Sequence, residues 1–247
     1  MNVQKTTPTA FVYNELGKFP LIIERKLRIL KYWLKIVNSD DNNLTKIVYK
    51  NLLLDATSQT KCENWVSLVK NLLETNGFGF VWRNQGVDNI NLFLAQFKQR
   101  LQDCFIQKND EEINNVSENR LYKYIKGSFV FKDYLSKITD KHLRISLSKI
   151  RLGSHNFMNE RGRWHLPKLP YSERLCNLCN EVEDEYHILL LCPRYKKFRS
   201  NIFIKRLLIK PSMHKFIYSL QNIKESELKS FALFCFQILK EYQSFIL

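Results

Sequence analysis

The sequence predicts a mostly α-helical protein, with a multi-helix N-terminal part, a short cysteine-dense segment and C-terminal helices. Three observations predict this. Apolar residues recur at three- and four-residue spacing through most of the 247 residues. No alternation of period two runs longer than a few residues. Breakers are scarce, with 7 Gly and 6 Pro, so no low-complexity linker separates the chain into halves. At 45% hydrophobic and 26% charged residues, the chain has enough apolar material to bury about 70% of its unfolded surface.

Taken in order, Ile23, Leu27, Leu30, Leu34 and Val37 fall on one side of a helix over 19–37, while Arg28, Lys31 and Lys35 take another face. Shorter helices are expected over 44–54 and 65–73, the second stopping at Asn76-Gly77. Gly77-Phe78-Gly79 reads as a turn. Ile90, Phe93, Leu94, Phe97, Leu101, Cys104 and Phe105 form the next stripe, and the pattern continues over 121–125, 134–138 and 143–152. Residues 153–175 hold Gly153, Gly162, Pro167 and Pro170 and read as a loop with one helical turn. This is where a boundary is expected, giving a helical domain over 17–152, a basic segment over 153–210 and a C-terminal helix within 211–247. A basic helix over 193–209 and a last helix from Glu225 complete the chain.

The formal net charge of +15 is unevenly spread. Residues 17–50 carry 8 Lys and Arg against 3 Asp and Glu, residues 141–210 carry 15 against 6, and residues 51–140 balance at 11 against 11. Clustered cations favour a polyanionic partner, because neutralising phosphates releases condensed counterions. A solubilising surface is the plainer alternative. The amino terminus has no apolar core of a secretory leader, and the most apolar stretch, 231–239, is far short of the roughly 20 residues of a membrane span. The expectation is an intracellular protein without a membrane partner, with the nucleus a compatible location.

Six cysteines are present. Cys62, Cys104 and Cys235 lie in apolar helical patterns and read as small core residues. The other three fall within CNLCNEVEDEYHILLLC, residues 176–192, whose spacing is C-x2-C-x7-H-x4-C. Cys176, Cys179, His187 and Cys192 suit a tetrahedral Zn2+ with N and S ligands, the first two from one tight turn. Four protein ligands leave no open position, which points to a structural ion and away from a water-activating one. Glu183, Asp184 and Glu185 suit a first helical turn. On a regular helix His187 and Cys192 would lie about 140° apart, so Cys192 must leave helical geometry, and Pro193 gives the reason. Coincidence in a reduced protein is the plain alternative; an iron–sulfur cluster fits less well, being mostly held by four Cys. His155 and His165 are weighed as rival ligands but suit surface or hydrogen-bonding roles better.

The run RLCNLCNEVEDEYHILLLCPRYKKFR, with RLGSHNFMNERGRW before it and NELGKFPLIIERKLRILKYWLKI far upstream, resembles the region downstream of the polymerase in reverse transcriptases of LINE-type (non-LTR) retrotransposons. The resemblance covers about Thr7 to Ile209 and is strongest from Ser154 to Arg199. It implies a reverse-transcriptase zinc-binding domain whose CCHC ligands fall on Cys176, Cys179, His187 and Cys192. The family's polymerase carries an aromatic-Ala-Asp-Asp hairpin, and metal-assisted phosphoryl transfer needs those carboxylates. Here the one Asp pair is Asp40-Asp41 in NSDDNN, which reads as a turn or helix cap. The chain is therefore expected to be a carboxy-terminal piece without polymerase or endonuclease activity, and not an enzyme.

Candidate nucleic-acid contacts, to RNA or single-stranded DNA, are Arg161, Arg163 and Trp164 before the cluster, Arg174 at its edge, and Arg194, Lys196, Lys197 and Arg199 after it. Guanidinium forks suit phosphate and a tryptophan offers one stacking plane, although a core role suits Trp164 equally. A largely phosphate-driven affinity is expected. The competing expectation is a helical scaffold that docks on a reverse-transcriptase polymerase domain without touching nucleic acid.

Overall fold

The computed structural model describes residues 1–57, 64–116, 120–200 and 202–245. Thirteen α-helices occur among them: α1 Thr9–Leu16, α2 Leu21–Val37, α3 Leu44–Thr57, α4 Trp65–Thr75, α5 Gly79–Arg83, α6 Ile90–Asn115, α7 Leu121–Ile125, α8 Tyr134–Lys137, α9 Lys141–Arg151, α10 Met158–Arg161, α11 Ile202–Leu208, α12 Met213–Gln221 and α13 Glu225–Gln243. The only β pairing among the described residues is an isolated antiparallel bridge between Leu175 and Val182. The mostly α class is the one the periodicity predicts.

The chain forms two compact units, Phe19–Lys108 and a second made of Met1–Lys18 with Asn109–Leu247. These limits fall at 18/19 and 108/109, whereas the sequence pattern suggests 152/153 and 210/211. The segment 153–175 looks like a linker because it is polar and rich in breakers. In the structure Ser154, His155, Asn159, Glu160, Arg163 and Arg174 are buried, and internal bonds satisfy most of them. Glu160 pairs with Arg120 at 3.1 Å and Arg163 at 3.1 Å.

In the Phe19–Lys108 unit, α2 buries Ile23, Leu30, Trp33, Leu34 and Ile36, with Leu27 and Val37 at the margin. Trp33 Nε1 donates to the Tyr49 hydroxyl at 3.0 Å, the partner a buried indole N–H needs. Asn64 caps α4 by accepting from the amides of Val66 and Ser67, both at 3.0 Å. The helix stops as expected: Gly77 takes φ +86°, and the Phe78 amide bonds back to Leu73 O at 2.8 Å. The expected turn at 77–79 is shorter than drawn from sequence, since α5 already begins at Gly79. Asp40 and Asp41 lie in the turn before α3, where Asp40 Oδ1 accepts from the Asn42 amide and Asp41 pairs with Lys46 and Lys50 at 3.0 and 3.1 Å. The Cys104 side chain is half-buried; Cys62 lies outside the described residues.

In the second unit α13 packs along α9, burying Phe231, Cys235 and Ile238 with Leu147 and Ile150. Glu15 of α1 is wholly buried. It accepts from Arg151 Nε at 2.5 Å and from the Tyr122 hydroxyl at 2.9 Å. Gly17 follows at φ +54°, and a Cβ there would lie 2.3 Å from the Phe131 backbone nitrogen, so no side chain fits. Helix α12, capped by the Ser212 side chain, is not anticipated from the pattern. The expected basic helix over 193–209 is instead a 3₁₀ run, Pro193–Phe198, followed by α11. Among the described residues no helix is long and apolar enough to cross a membrane.

Candidate metal centre

The cysteine segment folds as a knuckle and a widened turn. The knuckle is closed by the Leu175–Val182 bridge, with the Cys176 amide on Glu181 O at 2.8 Å and the Glu183 amide on Arg174 O at 2.8 Å. Within it the Asn180 amide returns to Cys176 O at 2.9 Å, and Asn180 itself takes φ +57°, a left-handed position that asparagine tolerates. Cys176 and Cys179 thereby project from one tight loop.

Asp184 starts the next element by accepting from the His187 amide at 2.8 Å, an N-cap bond. Its other oxygen accepts from the Tyr171 hydroxyl at 3.0 Å. Burial raises the Asp184 carboxyl above the ordinary range despite these bonds. Glu183 accepts from the Met158 amide at 2.7 Å and from the Tyr242 hydroxyl. Glu185 meets His155 Nε2 at 2.9 Å. The three acids are buried and each is tied to a neighbour, a more specific use than the favourable dipole that the sequence suggests.

His187–Leu191 is a π-helical turn, closed by the Cys192 amide on His187 O at 2.8 Å. Cys192 then leaves helical geometry at φ −55°, ψ 123°, as its spacing requires, and Pro193 follows. The π turn also leaves carbonyls without ladder partners. Arg199 reaches back to take them, with Nε on Leu189 O at 3.0 Å and Nη2 on Cys192 O at 2.6 Å and Ile188 O at 3.3 Å.

These elements bring Cys176, Cys179, His187 and Cys192 together, with one ligand atom from each within 4.8 Å of the others. The Sγ of Cys192 lies 3.9 Å from that of Cys176 and 3.7 Å from that of Cys179. A tetrahedral ion with metal–sulfur bonds of roughly 2.3 Å separates its sulfurs by about 3.8 Å, whereas a disulfide needs about 2.05 Å; all three thiols are free. His187 Nε2 is buried with no hydrogen-bond partner, a cost that a ring nitrogen beside a metal position does not carry. Burial lowers the His187 ring below the ordinary imidazole range, favouring the neutral form that binds metals. Burial pushes the Cys192 thiol up to about 12 and raises Cys179 as well. Four convergent candidate ligands would leave a tetrahedral ion no open position, which suits cross-linking of the chain. His155 and His165 stay outside: His155 is committed to Glu185, and exposed His165 has Nδ1 3.1 Å from Pro167 O.

No family model matches the chain. No solved structure matches it either. Among curated proteins, the tRNA(Met) cytidine acetate ligase of Fusobacterium nucleatum subsp. nucleatum is 30% identical over 121 residues, which is 47% of this chain and 30% of that protein. The match thus spans under a third of the ligase.

The eight cationic and aromatic candidates separate into three that are buried, four that are exposed and one, Arg194, that is half-buried. Arg163, Arg174 and Arg199 are buried. Arg163 pairs with Glu160, Arg174 donates to Leu169 O and Asn159 O, and Arg199 closes the ligand turn. Their donors serve the fold, so the phosphate contacts expected of these three do not fit their positions. Arg161, Trp164, Lys196 and Lys197 are exposed, Trp164 at 58%. Lys197 pairs with Glu241 at 2.7 Å, and half-buried Arg194 lies over the Phe245 ring at 4.6 Å. Sequence reasoning missed Asp184 and Arg199 as supports of the ligand turn; an acid three residues before His187 is a capping signal that could have identified the first.

Proposed function

We propose that the cluster holds one structural Zn2+ and that the chain is a nucleic-acid-binding module, related to the segment downstream of the polymerase in LINE-type reverse transcriptases, that binds RNA or single-stranded DNA without catalysing a reaction. The observation that carries the reading is the convergence of three sulfurs and one imidazole at tetrahedral spacing. Cys176, Cys179, His187 and Cys192 would hold the ion, which would pin the knuckle to the π turn. Exposed Arg161, Trp164 and Lys196 flank this element and can meet phosphates and a base. The local similarity to a protein named for tRNA(Met) fits an RNA partner.

The internal use of Arg163, Arg174 and Arg199 favours the second reading, in which the helices dock onto a polymerase and the cations only solubilise. Metal analysis of the purified chain and a salt-titrated binding assay on single-stranded RNA and DNA separate the two. The first reading expects one equivalent of zinc, affinity falling steeply with salt, and weaker binding in Arg161→Glu/Lys196→Glu. Absence of zinc, or binding indifferent to that double change, overturns it.

A further inference from the structure

Helix α2, in the Phe19–Lys108 unit, carries a row of cations that the metal-centre reading leaves unused. Arg28, Lys31, Tyr32 and Lys35 occupy positions i, i+3, i+4 and i+7, so they share one face over about 10 Å of helix. All four side chains are exposed, Tyr32 at 56%. Among the described residues no ion pair engages Arg28, Lys31 or Lys35. The nearest acid on their own helix, Glu24, is taken by Lys98 at 2.9 Å. Lys46 and Lys50 of the same unit, by contrast, both pair with Asp41.

The row borders an open groove of about 670 Å³, lined by half-buried Ile90 and by Arg28, Lys31 and Lys35 with their aliphatic stems. The Tyr32 ring is steadied by Trp65, its centroid 6.2 Å away at 46°. We infer that this groove is a second nucleic-acid site, taking the phosphate backbone of a single strand along Arg28, Lys31 and Lys35 with a base stacked on Tyr32. Cations in a line supply the backbone attraction, an exposed aromatic among them supplies a stacking plane that accepts any base, and a concave apolar lining accepts a splayed base. A duplex would offer no free base to Tyr32, and a lipid surface would call for a convex apolar ridge. The inference rests on this unit alone and does not depend on whether the cysteine cluster takes zinc.

The test uses the full chain and short mixed-sequence single-stranded RNA and DNA, followed by fluorescence anisotropy over a salt series. Arg28→Gln/Lys31→Gln/Lys35→Gln changes only exposed side chains and should keep the helical circular dichroism. It is expected to lower affinity more than tenfold at low salt and to flatten the slope of log K against log salt by about 2, the share of three single-strand phosphate contacts. Tyr32→Leu should lose about tenfold while Tyr32→Phe keeps wild-type binding. Repeating the comparison with a zinc chelator present separates the sites: the loss caused by the triple change should persist. An unchanged affinity and slope in the triple variant overturns the inference. So does a triple variant that loses binding only to anionic phosphatidylserine vesicles, or equal behaviour of Tyr32→Leu and wild type on single strands.

Discussion

The amide of Cys192 donates to the carbonyl oxygen of His187 at 2.8 Å, five residues back. A regular α-helix would carry two residues at that separation to opposite sides, about 140° apart. Closing one turn over five residues stacks them instead, and both side chains reach the same thiols. Widened turns of this kind are rare and concentrate at functional positions.

The first prediction concerns that convergence. Cys179→Ser should reduce bound zinc from one equivalent to none and raise amide exchange in residues 174–192, because structural zinc free energy is folding free energy. Cys104→Ser, which alters a half-buried thiol on α6, should keep the full equivalent. Equal metal content in the two variants, measured by atomic emission, would remove the site.

Arg199 tests whether the ligand turn needs external support. It closes the carbonyls of Ile188, Leu189 and Cys192 with one planar fork, which a lysine cannot reproduce. Arg199→Lys should therefore weaken zinc affinity by about tenfold or more with all four ligands intact. Competition with a chromophoric chelator measures this directly.

Proton release follows from the thiols. Burial raises Cys179 above the ordinary thiol range and pushes Cys192 up to about 12, so both hold protons at pH 7 before an ion binds, and a bound thiolate has none. Zinc binding should thus release at least two protons per ion, and affinity should fall as pH drops. Calorimetry in two buffers of different ionisation enthalpy gives the count; a value near zero would contradict it.

Away from the metal, Glu15 and Arg151 form a buried pair at 2.5 Å. Glu15→Ala would leave the Arg151 guanidinium buried without its counter-ion and should cost about 3–5 kcal/mol. Urea unfolding followed by circular dichroism reads the loss.

Much of this was legible in the sequence, for identifiable reasons. Helices such as α2 and α4 show because burial imposes a 3.6-residue period, and the convergence of Cys176, Cys179, His187 and Cys192 shows because their residue types and spacing are those that a metal site would need. What stayed hidden is long-range pairing of polar groups. Glu15 lies 136 residues from Arg151, and nothing local marks either as internal. The same holds for Arg163 and Arg174, whose charge suggests a surface role until Glu160 and the carbonyls of Leu169 and Asn159 are found around them. Helix α12 was hidden differently, its short stripe of Phe216 and Leu220 being too brief to carry a period.

Glu183 accepts from the Met158 amide in the strap before the knuckle and from the Tyr242 hydroxyl near the end of α13. One carboxylate thus ties three stretches that are far apart along the chain. They should open and close as a single foldon, so that trimming the chain ahead of Tyr242 should loosen the proposed metal cluster without removing any of its four candidate ligands.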